Sequence, residues 1–106
     1  MLTDRELGAL EPKEKMFKVT DRDGMYVAVL PTGTKAFRYD YRINGRRETL
    51  AIGRYDPALK PTRDSETIQY GMGLSLREAR TLLDRARLDV ERGVSPSRAK
   101  VEKRTA

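Results

Sequence analysis

This 106-residue chain has no cysteine and no histidine. Without cysteine no disulfide framework is possible, which fits a reducing compartment. Without either residue a zinc finger is excluded, because its ligands are missing. Histidine-based triads and histidine general bases are excluded for the same reason. The longest apolar run, MYVAVLP from Met25, is far too short to span a bilayer. The N-terminus lacks an apolar signal region, so neither secretion nor a membrane anchor is expected. Gly-rich phosphate loops and internal repeats are missing too. Carboxylates and tyrosines are present, but nothing organises them into an acid–base or nucleophilic site. No catalytic residue, no metal, no cofactor and no small-molecule substrate is expected.

What is there is charge. Charged residues make up 36% of the chain and apolar ones 38%, so one domain with a small core is expected. Lys and Arg number 22 against 16 Asp and Glu, a net charge of +6. Such a balance favours a polyanionic partner, nucleic acid first and an acidic membrane surface second. The surplus is uneven. Residues 35–54 hold six basic and two acidic side chains, and residues 94–106 hold four and one. A surplus in an ordered element is more telling than one in a frayed end.

The first of these segments carries the strongest local signal. KAFRYDYRINGRRETLAIGRY, Lys35 to Tyr55, reads as a β-hairpin closed by Asn44-Gly45, a pair that accepts the positive φ of a two-residue turn. That loop fixes the register. Ile43 faces Arg46, Arg42 faces Arg47, Tyr41 faces Glu48, Asp40 faces Thr49, Tyr39 faces Leu50, Arg38 faces Ala51 and Phe37 faces Ile52. Alternation then places Phe37, Tyr39, Tyr41, Leu50 and Ile52 on one side. Arg38, Asp40, Arg42, Arg47, Thr49 and Ala51 fall on the other. Arg42 opposite Arg47 is a destabilising like-charge pair, more easily tolerated where an anion is to sit. The plainer reading is a solvated face with arginine chosen for solubility.

Around the hairpin, Thr3 and Glu6 form the capping box of a short helix that Gly8 and Pro12 limit. Asp23-Gly24 is a turn, Met25 to Leu30 a first strand, and Pro31 to Thr34 the turn into the hairpin. These make a three-stranded antiparallel meander. Residues 56–74 read as a long irregular inserted loop. Ser75 and Glu78 form a second capping box. Leu76, Ala79, Leu83, Ala86 and Val90, widened by Leu82, make the apolar stripe of a helix that Gly93 ends. The expected fold class is α+β: a three-stranded antiparallel sheet packed against a C-terminal helix, with a short N-terminal helix. The domain is expected over residues 1–93, with residues 94–106 as a basic linker or tail.

A β-ribbon is narrow enough to enter the major groove of duplex DNA. Arg38, Arg42 and Arg47 lie on its polar face, where Tyr26 and Thr49 join them. Lys35 and Arg46, near the strand ends, suit phosphate. Asp40 either orders Arg38 or Arg42 or accepts from a cytosine amino group. Tyr39 and Tyr41 suggest an alternative, stacking of single-stranded bases, but core packing is the favoured reading of both. The arginines of the helix (Arg77, Arg80, Arg85, Arg87 and Arg92) alternate with Glu78, Asp84, Asp89 and Glu91 as on a solvated, salt-bridged face. Phosphate contact is the sharper reading of them. Arg98, Lys100, Lys103 and Arg104 suit nonspecific DNA affinity or a simple linker. A protein-interaction module remains the rival class.

Five pieces in order carry a resemblance: DGMYVAV, PTGTKAFRYDYR, NGRRETLAIGRY, SLREAR and GVSP. With the capped start LTDRELGALEPKEKMFKVTDR before them, the match covers nearly all of residues 2–97. The chain resembles the N-terminal arm-type DNA-binding domain of phage-type integrases, within the tyrosine recombinases of prophages and genomic islands. The resemblance implies a three-stranded sheet on a C-terminal helix, docked in the major groove of arm-type attachment-site repeats. The implied DNA contacts are Tyr26, Arg38, Asp40, Arg42, Arg47 and Thr49. Other integrase protomers are implied partners, and a bacterial cytoplasmic, nucleoid-associated setting is the implied location. Two departures stand out: the insertion after Asp56, and the missing catalytic domain, without which the chain cannot cut DNA.

Overall fold

The computed structural model describes residues 2–56 and 68–96. Its elements are α1 (Asp4–Ala9), β1 (Phe17–Thr20), β2 (Met25–Val29), β3 (Lys35–Ile43), β4 (Arg46–Tyr55), β5 (Gly73–Leu74) and α2 (Leu76–Glu91). The strands form one sheet in the order β1-β2-β3-β4-β5. Neighbours run antiparallel except β4 and β5, which are parallel. The expected three-stranded antiparallel sheet is thereby corrected to a five-stranded mixed one, within the α+β class.

Both extra strands are edge strands with weak local signals. β1 alternates Phe17-Lys18-Val19-Thr20, but four residues beside Lys13, Glu14 and Lys15 offer little apolar weight. Its place is set by the turn at Asp23 (φ 52) and Gly24 (φ 86), which pairs Val19 with Val27 and Phe17 with Val29. β5 has two residues, too few for any period to mark. It exists through tertiary pairing: Arg54 N–H donates to the Met72 carbonyl at 3.1 Å and Asp56 N–H to that of Leu74 at 2.9 Å. The segment 56–74 is therefore not irregular throughout. Residues 57–67 lie outside the described residues.

The hairpin follows its expected register from Ile43↔Arg46 to Arg38↔Ala51, with Asn44 (φ 51) and Gly45 (φ 75) at the turn. Beyond Arg38 the register shifts by one. Phe37 pairs with Gly53, not with Ile52, and Ala36 pairs with Arg54. This bulge leaves Ile52 as the extra residue, with both Ile52 and Gly53 buried. Glycine is required there for space. A Cβ on Gly53 would come within 2.5 Å of the Met72 carbonyl oxygen and of Leu74 Cδ1.

One face of the sheet carries Met25, Val27, Val29, Phe37, Tyr39, Tyr41, Leu50 and Ile52, all buried. Leu76, Ala79, Leu82, Leu83 and Ala86 of α2 belong to the same core, as do Leu2 and Leu7. Full burial of a large apolar side chain is worth roughly 1.5–3 kcal/mol. This layer, more than the ladder bonds of a hairpin marginal on its own, holds the sheet. Each helix start is built as its sequence indicates. Thr3 accepts from Glu6 N–H, one half of the expected capping box, and Ser75 and Glu78 exchange both bonds of theirs. Gly93 (φ 77) follows the C-cap residue Arg92.

Two polar clusters fasten the ends. The fully buried side chain of Asp21 accepts from Leu2 N–H at 2.8 Å and from Arg80 Nε at 3.0 Å and Nη2 at 2.8 Å. Burial alone would raise the Asp21 pKa, but the Arg80 and Leu2 hydrogen bonds and the Arg80 charge outweigh it and hold the carboxyl below its usual range. Past α2, Ser95 and Pro96 are buried. Ser95 Oγ and the Tyr41 hydroxyl both donate to Glu48 Oε1, at 2.6 and 2.8 Å. Ser95, within the segment expected as a linker or tail, is thus bonded to the hairpin, while residues 97–106 lie outside the described residues.

Candidate nucleic-acid interface

The other face of the sheet is built from the residues that alternation turns away from the core. Cross-strand pairing arranges them in rows. Thr20, Tyr26, Arg38 and Ala51 form one row, and Lys18, Ala28, Ala36 and Arg54 the next. Towards the hairpin tip follow Asp40 with Thr49, then Arg42 with Arg47. The pairing of β2 with β3 stops at Met25↔Tyr39. Asp40 N–H still donates to the Gly24 carbonyl at 3.1 Å, and residues 41–48 project past it as a two-stranded ribbon.

Five cations stand on this face: Lys18, Arg38, Arg42, Arg47 and Arg54. Arg38 is half-buried and the other four are exposed. Asp40 is the one carboxylate that β1 to β4 themselves place on it, with Asp56 following just past the end of β4. Three donors from the two neighbouring strands, β2 and β4, converge on Asp40. Thr49 Oγ1 donates to Oδ1 at 2.7 Å, the Tyr26 hydroxyl to Oδ1 at 3.2 Å, and Arg47 Nη2 to Oδ2 at 3.3 Å. Partial burial would raise the Asp40 pKa. The bonds from Thr49, Tyr26 and Arg47, with the Arg47 charge, overcome that and lower it. The carboxylate is thus ionised, and it orders Arg47 rather than Arg38 or Arg42.

The structure brings together Tyr26, Arg38, Asp40, Arg42, Arg47 and Thr49 on this face. Tyr26 sits there with its ring covered: it is 8% exposed, with Lys18 Nζ 4.9 Å from the ring centroid. Burial, then the nearby Asp40 charge, raises its phenol pKa. Arg46 is exposed at the tip but shares the core-side parity of its partner Ile43. Lys35 lies apart. It has the parity of Phe37, and its ammonium donates to the carbonyls of Leu7 (2.8 Å) and Gly8 (3.4 Å) near the end of α1. Two cations of the face were not legible as such. Lys18 was hidden because β1 was unmarked, and Arg54 because the bulge reverses its parity.

Other candidate surfaces are accounted for. Tyr39 and Tyr41 are 7% and 6% exposed, so their rings are core and not a stacking platform. The helix arginines are on the opposite side of the sheet. Arg80 is held by Asp21, Arg87 Nη1 lies 3.3 Å from Asp23, and Arg85 Nη1 lies 3.5 Å from the Ile68 carbonyl. Arg98, Lys100, Lys103 and Arg104 are outside the described residues. Among the described residues no group of three or more potential ligands could hold a metal ion. No described helix is long and apolar enough to cross a membrane.

A face of arginines and lysines on a narrow ribbon offers fork-shaped donors to base edges and point charges to phosphates. Comparison with known proteins agrees with that chemistry. Residues 2–103 match the family described as Arm DNA-binding domain. An integrase of Shigella phage Sf6 and the prophage integrase IntS of Escherichia coli (strain K12) are each 31% identical over 100 residues. Each alignment covers 94% of this chain and 22% of the relative. The prophage integrase IntZ of the same strain is 30% identical over 97 residues, 90% of this chain and 20% of its own. The chain spans about a fifth of the length of the curated relatives it matches.

Proposed function

This chain belongs to the Arm DNA-binding domain family, and we propose that it is the sequence-specific duplex-binding module of a phage- or prophage-type integrase. On this reading the ribbon of residues 41–48, with Asp40 and Thr49 at its base, enters the major groove of arm-type repeats. The module positions a tyrosine recombinase on its attachment site for integration or excision, in a bacterial cytoplasm, and does no chemistry itself. One observation carries the reading: the strands place five cations against one carboxylate, Asp40, on the sheet face that the core leaves uncovered. The projecting ribbon also has the width that a groove about 12 Å across accepts.

Division of labour follows from position. Arg42 and Arg47, near the tip, are placed for base edges, where a guanidinium bonds guanine O6 and N7 together. Lys18 and Arg54 stand three strands apart in one row, on β1 and β4, with Gly73 of β5 beyond Arg54. With strands about 4.8 Å apart, three spacings separate their backbones by roughly 14 Å, which suits phosphates on either side of a groove.

The test is an electrophoretic titration of the protein against a duplex from an attachment-site flank and a scrambled duplex, across a salt series. Preference for the flank duplex, with affinity falling steeply as salt rises, is the expected result. Equal, salt-insensitive binding of both would overturn the reading and favour the protein-interaction class.

A further inference from the structure

We infer that Asp40 is a specificity-determining residue of the interface: its carboxylate accepts from an exocyclic amino group, cytosine N4 or adenine N6, in the major groove. The inference rests on the duplex-binding reading and adds a polarity to it.

The carboxylate is held in place before any partner arrives. Oδ1 takes the Thr49 and Tyr26 bonds, and Oδ2 takes the single bond from Arg47. An ionised carboxylate has about four acceptor positions on its two oxygens, so Oδ2 keeps one. The side chain remains 22% exposed, and the Arg47 side chain beside it is 72% exposed. That open position lies at the base of the projecting ribbon, one row in from Arg42 and Arg47.

Its chemistry discriminates in two directions. A carboxylate facing phosphate or a base carbonyl repels it, so Asp40 weakens every register that lacks a donor opposite. Only an amino group compensates, and in the major groove only cytosine and adenine present one. Arg47 supplies the complementary donor 3.3 Å from Asp40. A neighbouring guanidinium and carboxylate together read a donor–acceptor pattern that arginines alone would not. An asparagine that keeps Oδ1 for Thr49 and Tyr26 loses only the Oδ2 bond from the exposed Arg47, which costs the fold little.

The experiment is selection from a random-sequence duplex pool by the wild-type protein and by Asp40→Asn, followed by titration of both against the selected duplex and an unselected one. Wild type is expected to fix a cytosine or adenine that Asp40→Asn leaves free. The ratio of selected to unselected affinity should fall roughly tenfold or more in the variant, with unselected binding tighter. Replacing the fixed base by 2-pyrimidinone or purine deletes the amino group alone. It should weaken the wild type and not the variant, and whichever replacement does so names the base. Thermal unfolding of Asp40→Asn should stay close to wild type. Should that variant fail to fold, Thr49→Val serves. It removes the 2.7 Å bond that fixes the carboxylate and should blur the same base position alone. An unchanged ratio, or equal loss on both duplexes, overturns the inference while leaving duplex binding intact. A wild type that enriches no sequence overturns the reading beneath it as well.

Discussion

Arg42 and Arg47 stand directly opposite each other across the hairpin, and only Arg47 is held to a carboxylate, at 3.3 Å from Asp40. Like charges in facing positions oppose folding, whereas two guanidinium groups side by side favour a polyanion. The pair therefore sets stability against binding. Arg42→Thr is expected to raise the unfolding free energy slightly, by about a few tenths of a kcal/mol. The same change should weaken binding to a preferred duplex by roughly 1–3 kcal/mol and relax base preference at one position. Chemical denaturation and electrophoretic titration of one variant read both signs. Loss of stability with unchanged binding would contradict the account.

Lys18 and Arg54 should behave differently. As phosphate contacts they carry no base information. Lys18→Ala and Arg54→Ala are each expected to weaken all duplexes about equally and to lower the slope of log affinity against log salt by about 1. Titration at several salt concentrations, on preferred and scrambled duplexes, separates this from the behaviour of Arg42.

Asp21 anchors the start of the chain to α2 through Arg80 and Leu2. Removing one partner of a buried pair strands the other, so Asp21→Ala should cost roughly 3 kcal/mol of stability. The pH dependence has a definite sign. Asp21 and Asp40 both titrate below the ordinary value of 3.8 in the folded protein. Their contribution is therefore complete above about 3.8 and is lost as pH falls through the lowered values. Denaturation midpoints followed into acid should drop for wild type and drop less for Asp21→Asn.

On the alkaline side Tyr70 dominates. Burial pushes its phenol up to about 12, and its hydroxyl donates to the Leu82 carbonyl at 3.4 Å. A folded pKa above the unfolded value of 10.0 gives stability that is full below 10 and declines as pH climbs towards 12. Ultraviolet titration should show a late-ionising tyrosine that Tyr70→Phe removes.

Gly53 tests packing apart from charge. A methyl group there would meet the Met72 carbonyl oxygen and Leu74 Cδ1 at 2.5 Å. Gly53→Ala should cost roughly 1–3 kcal/mol and loosen β5 from β4, seen as faster amide exchange at Arg54 and Asp56.

What could be read without coordinates divides along one line. Where local chemistry decides, the reading held: Asn44-Gly45 fixed the hairpin register as far as Arg38, Ser75 and Glu78 started α2, and Gly93 followed its end. Where distant chain decides, it did not. β5 forms only because Met72 and Leu74 offer carbonyls to β4, and β1 only because β2 receives it. The same division runs through the interface. The hairpin arginines were legible from alternation, as was the burial of Tyr39 and Tyr41. The bonds of Lys35 to the Leu7 and Gly8 carbonyls are not legible, because nothing nearby announces that a helix ends within its reach. Arg54 was passed over because Gly53 looks like any strand glycine until its neighbour across the sheet is known.

The single additional residue at Ile52 also governs which way two later side chains point. Were β4 to run on in step past Ala51, Arg54 would be driven inward beside Phe37, and Tyr55 would be cast out to water. The inserted residue acts as a parity switch. It lets the same strand offer one more guanidinium to the outside while Tyr55 still meets Phe37 edge-on, 6.2 Å between ring centres.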